Sequence, residues 1–198
     1  MWYLQVAAVT VLALAVRVAF SKSAFAHCDT MDGPAVKDGM KALETQNINF
    51  ALKWIMPEYE SELGEIFTLS LKVRGLSPES KTLADRYFLE NLVRLHRVGE
   101  GASFDGLKPS GAPMDEKVLA ADRCIELGNL TPLSGLVSHD EMHELEKRFG
   151  KVMELKDFDV DDVEAGREYI EAYVRFFKFA EGEEEHEHGK GHEHRHHH

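Results

Sequence analysis

Slid against itself by 82 residues, the chain keeps its apolar positions in register. Ala42-Leu43-Glu44 falls on Cys124-Ile125-Glu126, and Asn47-Ile48 on Asn129-Leu130. Trp54-Ile55 falls on Leu136-Val137, Glu62-Leu63 on Glu144-Leu145, Phe67 on Phe149 and Tyr87-Phe88 on Tyr169-Ile170. Self-similarity at so long a period limits the fold to duplicated supersecondary structure whose copies bury their apolar faces against each other. Each copy reads as helical. Ser77-Pro78-Glu79 supplies an N-cap, a proline at the first helical position and an early carboxylate. Leu83, Tyr87, Phe88, Leu92 and Leu95 follow at helical spacing, and Val163, Ile170, Tyr173, Val174 and Phe177 repeat the pattern. Ser138 with Glu141 forms a capping box ahead of Met142, Leu145, Phe149 and Val152. Strand signals are nearly absent. The sequence therefore predicts an all-α bundle of two tandem, pseudo-symmetric units, residues 27–98 and 117–180, joined by a loop over 99–116. That loop carries four glycines and two prolines. It has no Gly-Lys-Ser/Thr to cradle a phosphate, so it reads as a connector.

The two ends differ from the bundle. Residues 2–16 are apolar apart from Gln5 and Thr10, and Ser21-Lys22-Ser23-Ala24-Phe25-Ala26 ends in the small-residue pattern that a signal peptidase reads. Cleavage after Ala26 is expected, giving an exported chain of 172 residues, periplasmic or secreted. The alternative is an uncleaved anchor, because no Lys or Arg precedes the apolar run; that would be the chain's only membrane attachment. At the other end, residues 181–198 hold six Glu, seven His and no apolar side chain, so this tail cannot contribute to a core. The net charge of −12 repels nucleic acid, and no basic stripe with interleaved aromatics offsets it.

The candidate chemistry lies at the expected mature terminus, His27-Cys28-Asp29-Thr30-Met31-Asp32-Gly33-Pro34. A freed α-amine, the His27 imidazole, the Cys28 amide and the Cys28 thiolate can all reach one metal ion, with Asp29 and Asp32 nearby. Thiolate and imidazole suit nickel, copper or zinc over magnesium or calcium. His96 lies near a helix end, where an imidazolium also favours the helix dipole. His139 and His143 stand four apart on one helical face. Asp140 replaces the Glu that a zinc-protease helix carries after its first His, and a di-iron bundle would need Glu-x-x-His on two helices. In the tail, His186, His188, His192 and His194 offer loose sites for nickel, copper or zinc. Cys28 and Cys124 are the only cysteines, which in an oxidising compartment also allows one disulfide.

His27-Cys28-Asp29 followed by Gly33 resembles the amino-terminal hook of nickel superoxide dismutase, a helical-bundle enzyme. That resemblance implies nickel held by the amine, an amide and thiolates, with His27 axial. The hook's second cysteine position is Asp32 here, and its Leu-Pro pair is Thr30-Met31. Over its full length the chain resembles an uncharacterised family of exported all-helical bacterial proteins. The stretches that carry this are residues 27–34, Leu95-His96-Arg97-Val98-Gly99-Glu100-Gly101 and residues 161–169. It implies a fold and an export route, and no activity.

The leading functional expectation is an exported nickel- or copper-binding protein using His27 and Cys28. His96 or the His139/His143 pair would complete the shell, the tail would collect metal, and superoxide handling is the redox extension of this reading. The alternative is a non-enzymatic helical interaction module with a Cys28–Cys124 disulfide. A third reading is an enzyme built on the long loop with Arg86, Glu90 and Glu100. Oligomeric state is not readable from the sequence.

Overall fold

Ser77 begins the longest helix as its sequence requires: its hydroxyl accepts a hydrogen bond from the Ser80 amide at 3.1 Å, with Pro78 behind it. The computed structural model containing this helix describes residues 27–182. The expected signal segment (1–26), together with His186, His188, His192 and His194, lies outside the described residues. Within them the chain forms α1 (Pro34–Thr45), α2 (Asn49–Leu52), α3 (Glu60–Arg74), α4 (Pro78–Gly99), α5 (Glu116–Leu127), α6 (His139–Leu155) and α7 (Val163–Glu181). Short 3-10 turns at Pro57–Tyr59 and Thr131–Leu133 complete the list, and there is no strand among the described residues. The fold is all-α.

At the 82-residue offset some element bounds coincide and others, such as the starts of α3 and α4, miss their counterparts α6 and α7. Shifted by that amount, the bounds of α1 become 116–127, those of α5, and the last residue of α4 becomes Glu181, the last of α7. Packing follows the same order. In the first half α4 packs against both α1 and α3; in the second, α7 packs against both α5 and α6. The capping box is present, with Ser138 Oγ accepting from the Glu141 amide and a Glu141 carboxylate oxygen accepting from the Ser138 amide. One continuous apolar core links the halves, from Val36, Leu43, Phe88 and Leu92 to Val118, Leu145, Val152 and Phe176.

Polar contacts fix the halves to each other. Arg167 of α7 donates to the backbone oxygens of Ile55 at 3.1 Å and Leu52 at 3.4 Å and pairs with Glu60. Asp161 accepts from Asn49 at 3.1 Å. Close approach also needs the small residue Gly39 on α1, where a Cβ would stand 2.7 Å from a Leu89 methyl and 2.8 Å from a Leu92 methyl of α4.

The 99–116 segment is more than a connector. The Met31 amide donates to Lys108 O at 3.0 Å, and the Lys108 amide donates to Asp29 O at 2.7 Å. The Gly111 amide donates to an Asp32 carboxylate oxygen at 3.0 Å. The loop thus lies along residues 29–32 and holds them against the bundle.

Candidate functional site

His27 and Cys28 form the start of a tight turn closed by Gly33. Thr30 Oγ1 donates to His27 O at 3.0 Å, and the Gly33 amide donates to Thr30 O at 2.9 Å. This turn places the His27 ring inside the protein, 4 % exposed and stacked 5.7 Å from Phe177 of α7. Its Nε2 stands 2.6 Å from an Asp122 carboxylate oxygen, an ion-pair approach that is not aligned as a hydrogen bond. Its Nδ1 faces the Met114 sulfur at 3.1 Å. Asp122 also accepts from the Tyr173 hydroxyl at 2.9 Å, so one carboxylate orients two rings.

Next to this ring is a cavity of ≈ 30 Å³ lined by His27, Cys28, Arg97, Glu100, Tyr173 and Phe177, among others. It has room for about one small molecule or ion. Cys28 is half-buried and lines the cavity beside His27. Burial, then the Glu100 and Asp29 carboxylates, push the Cys28 thiol far above its ordinary range; Arg97 pulls the other way and does not prevail. Tyr173 is likewise raised by burial, then by Asp122 and Cys28. Both groups are therefore protonated at neutral pH. Cys28 is no activated nucleophile.

His96, read as a helix-end residue, is buried at 5 % exposure. Its Nδ1 stands 2.8 Å from the Trp54 carbonyl and donates to it, while Nε2 lies 3.7 Å from Glu100 and without a hydrogen bond. Asp29 is tied to Arg97 at 3.6 Å and Lys108 at 4.0 Å. Burial raises its carboxyl above the usual range despite those two cations. Asp32 is lowered, mainly by the Gly111 amide, and serves to anchor the loop.

Several expected roles change. His139 and His143 are exposed on α6; His143 pairs weakly with Glu146 at 3.9 Å, and neither lines the cavity. Cys28 and Cys124, paired in the alternative reading, are both free here. Cys124 is fully buried in the core while Cys28 lies on the cavity. Arg86 and Glu90 pair with each other at 2.9 Å on the exposed face of α4, whereas Glu100 does reach the cavity. Among the described residues, no three His, Cys, Asp or Glu side chains come together as a ligand set for a metal. The sequence reading missed Arg97, Met114, Asp122 and Tyr173. One trace of Asp122 was visible: in the 82-residue register it falls on Met40, a charge where the first unit has an apolar side chain.

A family model described as "Family of unknown function (DUF6448)" matches residues 32–179. His27, Cys28 and Asp29 precede the matched stretch, and Arg97, Glu100, Met114, Asp122 and Tyr173 lie within it. No curated protein and no solved structure matches the chain.

Proposed function

We propose, from the premise that this chain belongs to that family of unknown function, that it binds one thiophilic transition-metal ion at His27, copper(I) ahead of nickel(II). The carrying observation is the environment of the His27 ring: a carboxylate at 2.6 Å from Nε2 and a thioether at 3.1 Å from Nδ1. With the ring proton placed on Nε2, the 2.6 Å approach of Asp122 is an attractive contact, though not aligned as a hydrogen bond. Metal-binding histidines commonly present one ring nitrogen to the metal and give the other's N–H to such a carboxylate. A neutral ring then points the bare Nδ1 at the sulfur, setting two lone-pair donors against each other. A cation between them relieves that repulsion. Late transition metals bind imidazole nitrogen at about 2.0 Å and sulfur at about 2.3 Å, which holds such donors roughly 3–4 Å apart. The observed 3.1 Å matches donors about 90° apart around a metal; two- or three-coordinate copper(I) needs them roughly 3.7–4.3 Å apart, so Met114 must move out by about 0.6 Å or more on binding. Thioether selects copper(I), and two or three soft ligands satisfy it.

Cys28, on the same cavity as His27, is the natural third donor. The carboxylates that suppress its ionisation favour a cation equally, so binding would exchange the thiol proton for the metal. Export of the chain belongs to this proposal, since a cleaved terminus would add the His27 amine to the donors.

A second reading has its own support: His27 as an imidazolium, giving N–H groups to Met114 and Asp122 at once and holding the amino-terminal turn in place. This is the structural-module alternative without its disulfide. The test is anaerobic titration of the reduced chain, ending at Gly182, with copper(I) against a competing chelator. One tightly held copper per chain, weakened at least tenfold in Met114→Leu with circular dichroism unchanged, supports the site. Metal held only when residues 183–198 are present, or equal affinity in Met114→Leu, rejects it. A His27 imidazolium seen by nitrogen NMR in the metal-treated protein establishes the second reading instead.

A further inference from the structure

A second, aromatic recess lies elsewhere, between the halves. It has a volume of ≈ 600 Å³, and its walls include Phe50 and Trp54 from the first unit and Phe158 and Tyr169 from the second. Gly166 makes the wall possible: a Cβ there would sit 3.0 Å from Lys53 Cβ and 3.1 Å from the Phe158 ring. Volume and lining fall in the range of small-molecule sites, with apolar faces and a few convergent charges.

The charges have a definite sign. Asp38 is already committed, accepting from Trp54 Nε1 at 2.8 Å and pairing with Lys53 at 2.9 Å. Asp159 also lines the recess and keeps its charge, accepting from the Asp161 amide at 3.0 Å in its own turn. Lys41 and Lys156, both exposed on the lining, have no carboxylate partner among the described residues. Lys41 instead extends over the Phe50 ring at 4.3 Å. Three lysines, Lys41, Lys53 and Lys156, face two aspartates, Asp38 and Asp159, beside five aromatic rings, an excess of one positive charge that is unexpected on a chain whose net charge is −12. Over the whole chain the excess charge is negative; in this lining it is positive.

We infer that this recess binds a planar aromatic anion, its ring along the partly exposed Phe50, Phe158 and Tyr169 and its acid group toward Lys41 and Lys156. Aromatic faces supply contact area and stacking, and the lysines discriminate against neutral rings of the same shape. The inference is independent of the metal proposal: none of the groups it uses touches His27 or Met114, and Tyr173 borders both sites only as a shared wall.

The test is calorimetric titration of the full chain with 2-naphthoate and, separately, with uncharged 2-naphthalenemethanol, repeated on Lys41→Glu/Lys156→Glu. Both substitutions are on the surface, and circular dichroism verifies that the fold persists. The expected result is saturable 1:1 binding of naphthoate, at least about tenfold weaker binding of the alcohol, and at least about tenfold loss in the double variant. Absence of saturable binding up to millimolar naphthoate overturns the inference. So does equal binding of the alcohol, which would mark simple apolar adsorption. Naphthoate binding that survives the double substitution places any site elsewhere and overturns it as well. His27→Ala gives the cross-check: it should abolish copper binding and leave naphthoate affinity unchanged.

Discussion

Gly33 is the residue whose replacement tests the amino-terminal turn most directly. Its backbone, φ −70° and ψ 159°, is open to any residue, so conformation alone does not demand glycine. Space does. A Cβ at this position would lie 2.2 Å from His27 O and 3.0 Å from Thr30 O, both backbone atoms that cannot rotate away. Reaching ordinary contact at 3.4 Å needs a displacement of roughly 1.2 Å. The Gly33→Thr30 and Thr30→His27 hydrogen bonds, at 2.9 Å and 3.0 Å, cannot absorb that shift. Overpacking costs about 1–3 kcal/mol, and each lost hydrogen bond about 1 kcal/mol. Partial release of the turn limits the total, so Gly33→Ala should lose roughly 3 kcal/mol, or about 6–12 °C in Tm for a chain of this size. Urea unfolding measures the loss directly. Gly64→Ala is the matched control. No atom stands within 4 Å of a Cβ there, on a helix, and the substitution should gain about 0.5–1 kcal/mol. A second readout localises the damage: Cys28 in Gly33→Ala should react faster with a thiol reagent while buried Cys124 does not. A Gly33→Ala loss below about 1 kcal/mol, with Cys28 still protected, would refute the described packing of residues 27–33.

Three further outcomes are expected. In the unaltered protein without metal, Cys28 should alkylate far more slowly at pH 8 than a free cysteine, because burial and then Glu100 and Asp29 keep its thiol protonated; pH-dependent alkylation followed by peptide mass analysis checks this. Asp85 is lowered because its bonds to Arg74 and Lys81 outweigh the opposing effect of desolvation. Its stabilisation should be complete above about pH 4 and vanish as pH falls through the lower folded value, so Asp85→Asn should lose stability at pH 7 and show a flatter acid limb. Asp29 has the opposite sign: raised chiefly by burial, it favours folding below its ordinary titration range and loses that contribution as pH rises through the folded value. Asp29→Asn should therefore match or exceed wild-type stability at pH 7 in urea melts, and a clear loss would reverse that assignment.

The helices were legible because their causes are local. Ser77-Pro78 and the Ser138/Glu141 box act within one turn, and the apolar spacing of Leu92 and Leu95 or Val174 and Phe177 needs only helical geometry. The candidate site was half legible for the same reason. His27 and Cys28 stood out as neighbours in sequence, and the cavity does form around them. Their partners were hidden because each arrives across the chain: Met114 from the 99–116 loop, 87 residues on, and Tyr173 from α7. Periodicity gave Tyr173 a place on an apolar face without revealing its bond to Asp122. The loop misled most. Glycine and proline mark irregular backbone, and composition carries no information about Lys108 and Gly111 binding residues 29–32.

That clasp between the loop and the first described residues has a consequence in time. The His27 pocket cannot be assembled by the first unit alone, since Met114, Asp122, Tyr173 and Phe177 all come later in the chain. Contacts so distant in sequence form after local helices, and a chain emerging from amino to carboxyl end must present α7 before the pocket can close. Residues 27–32 are consequently among the last to dock. Occupation of the pocket would report that the entire chain has folded, and a ligand arriving early would find no place to bind.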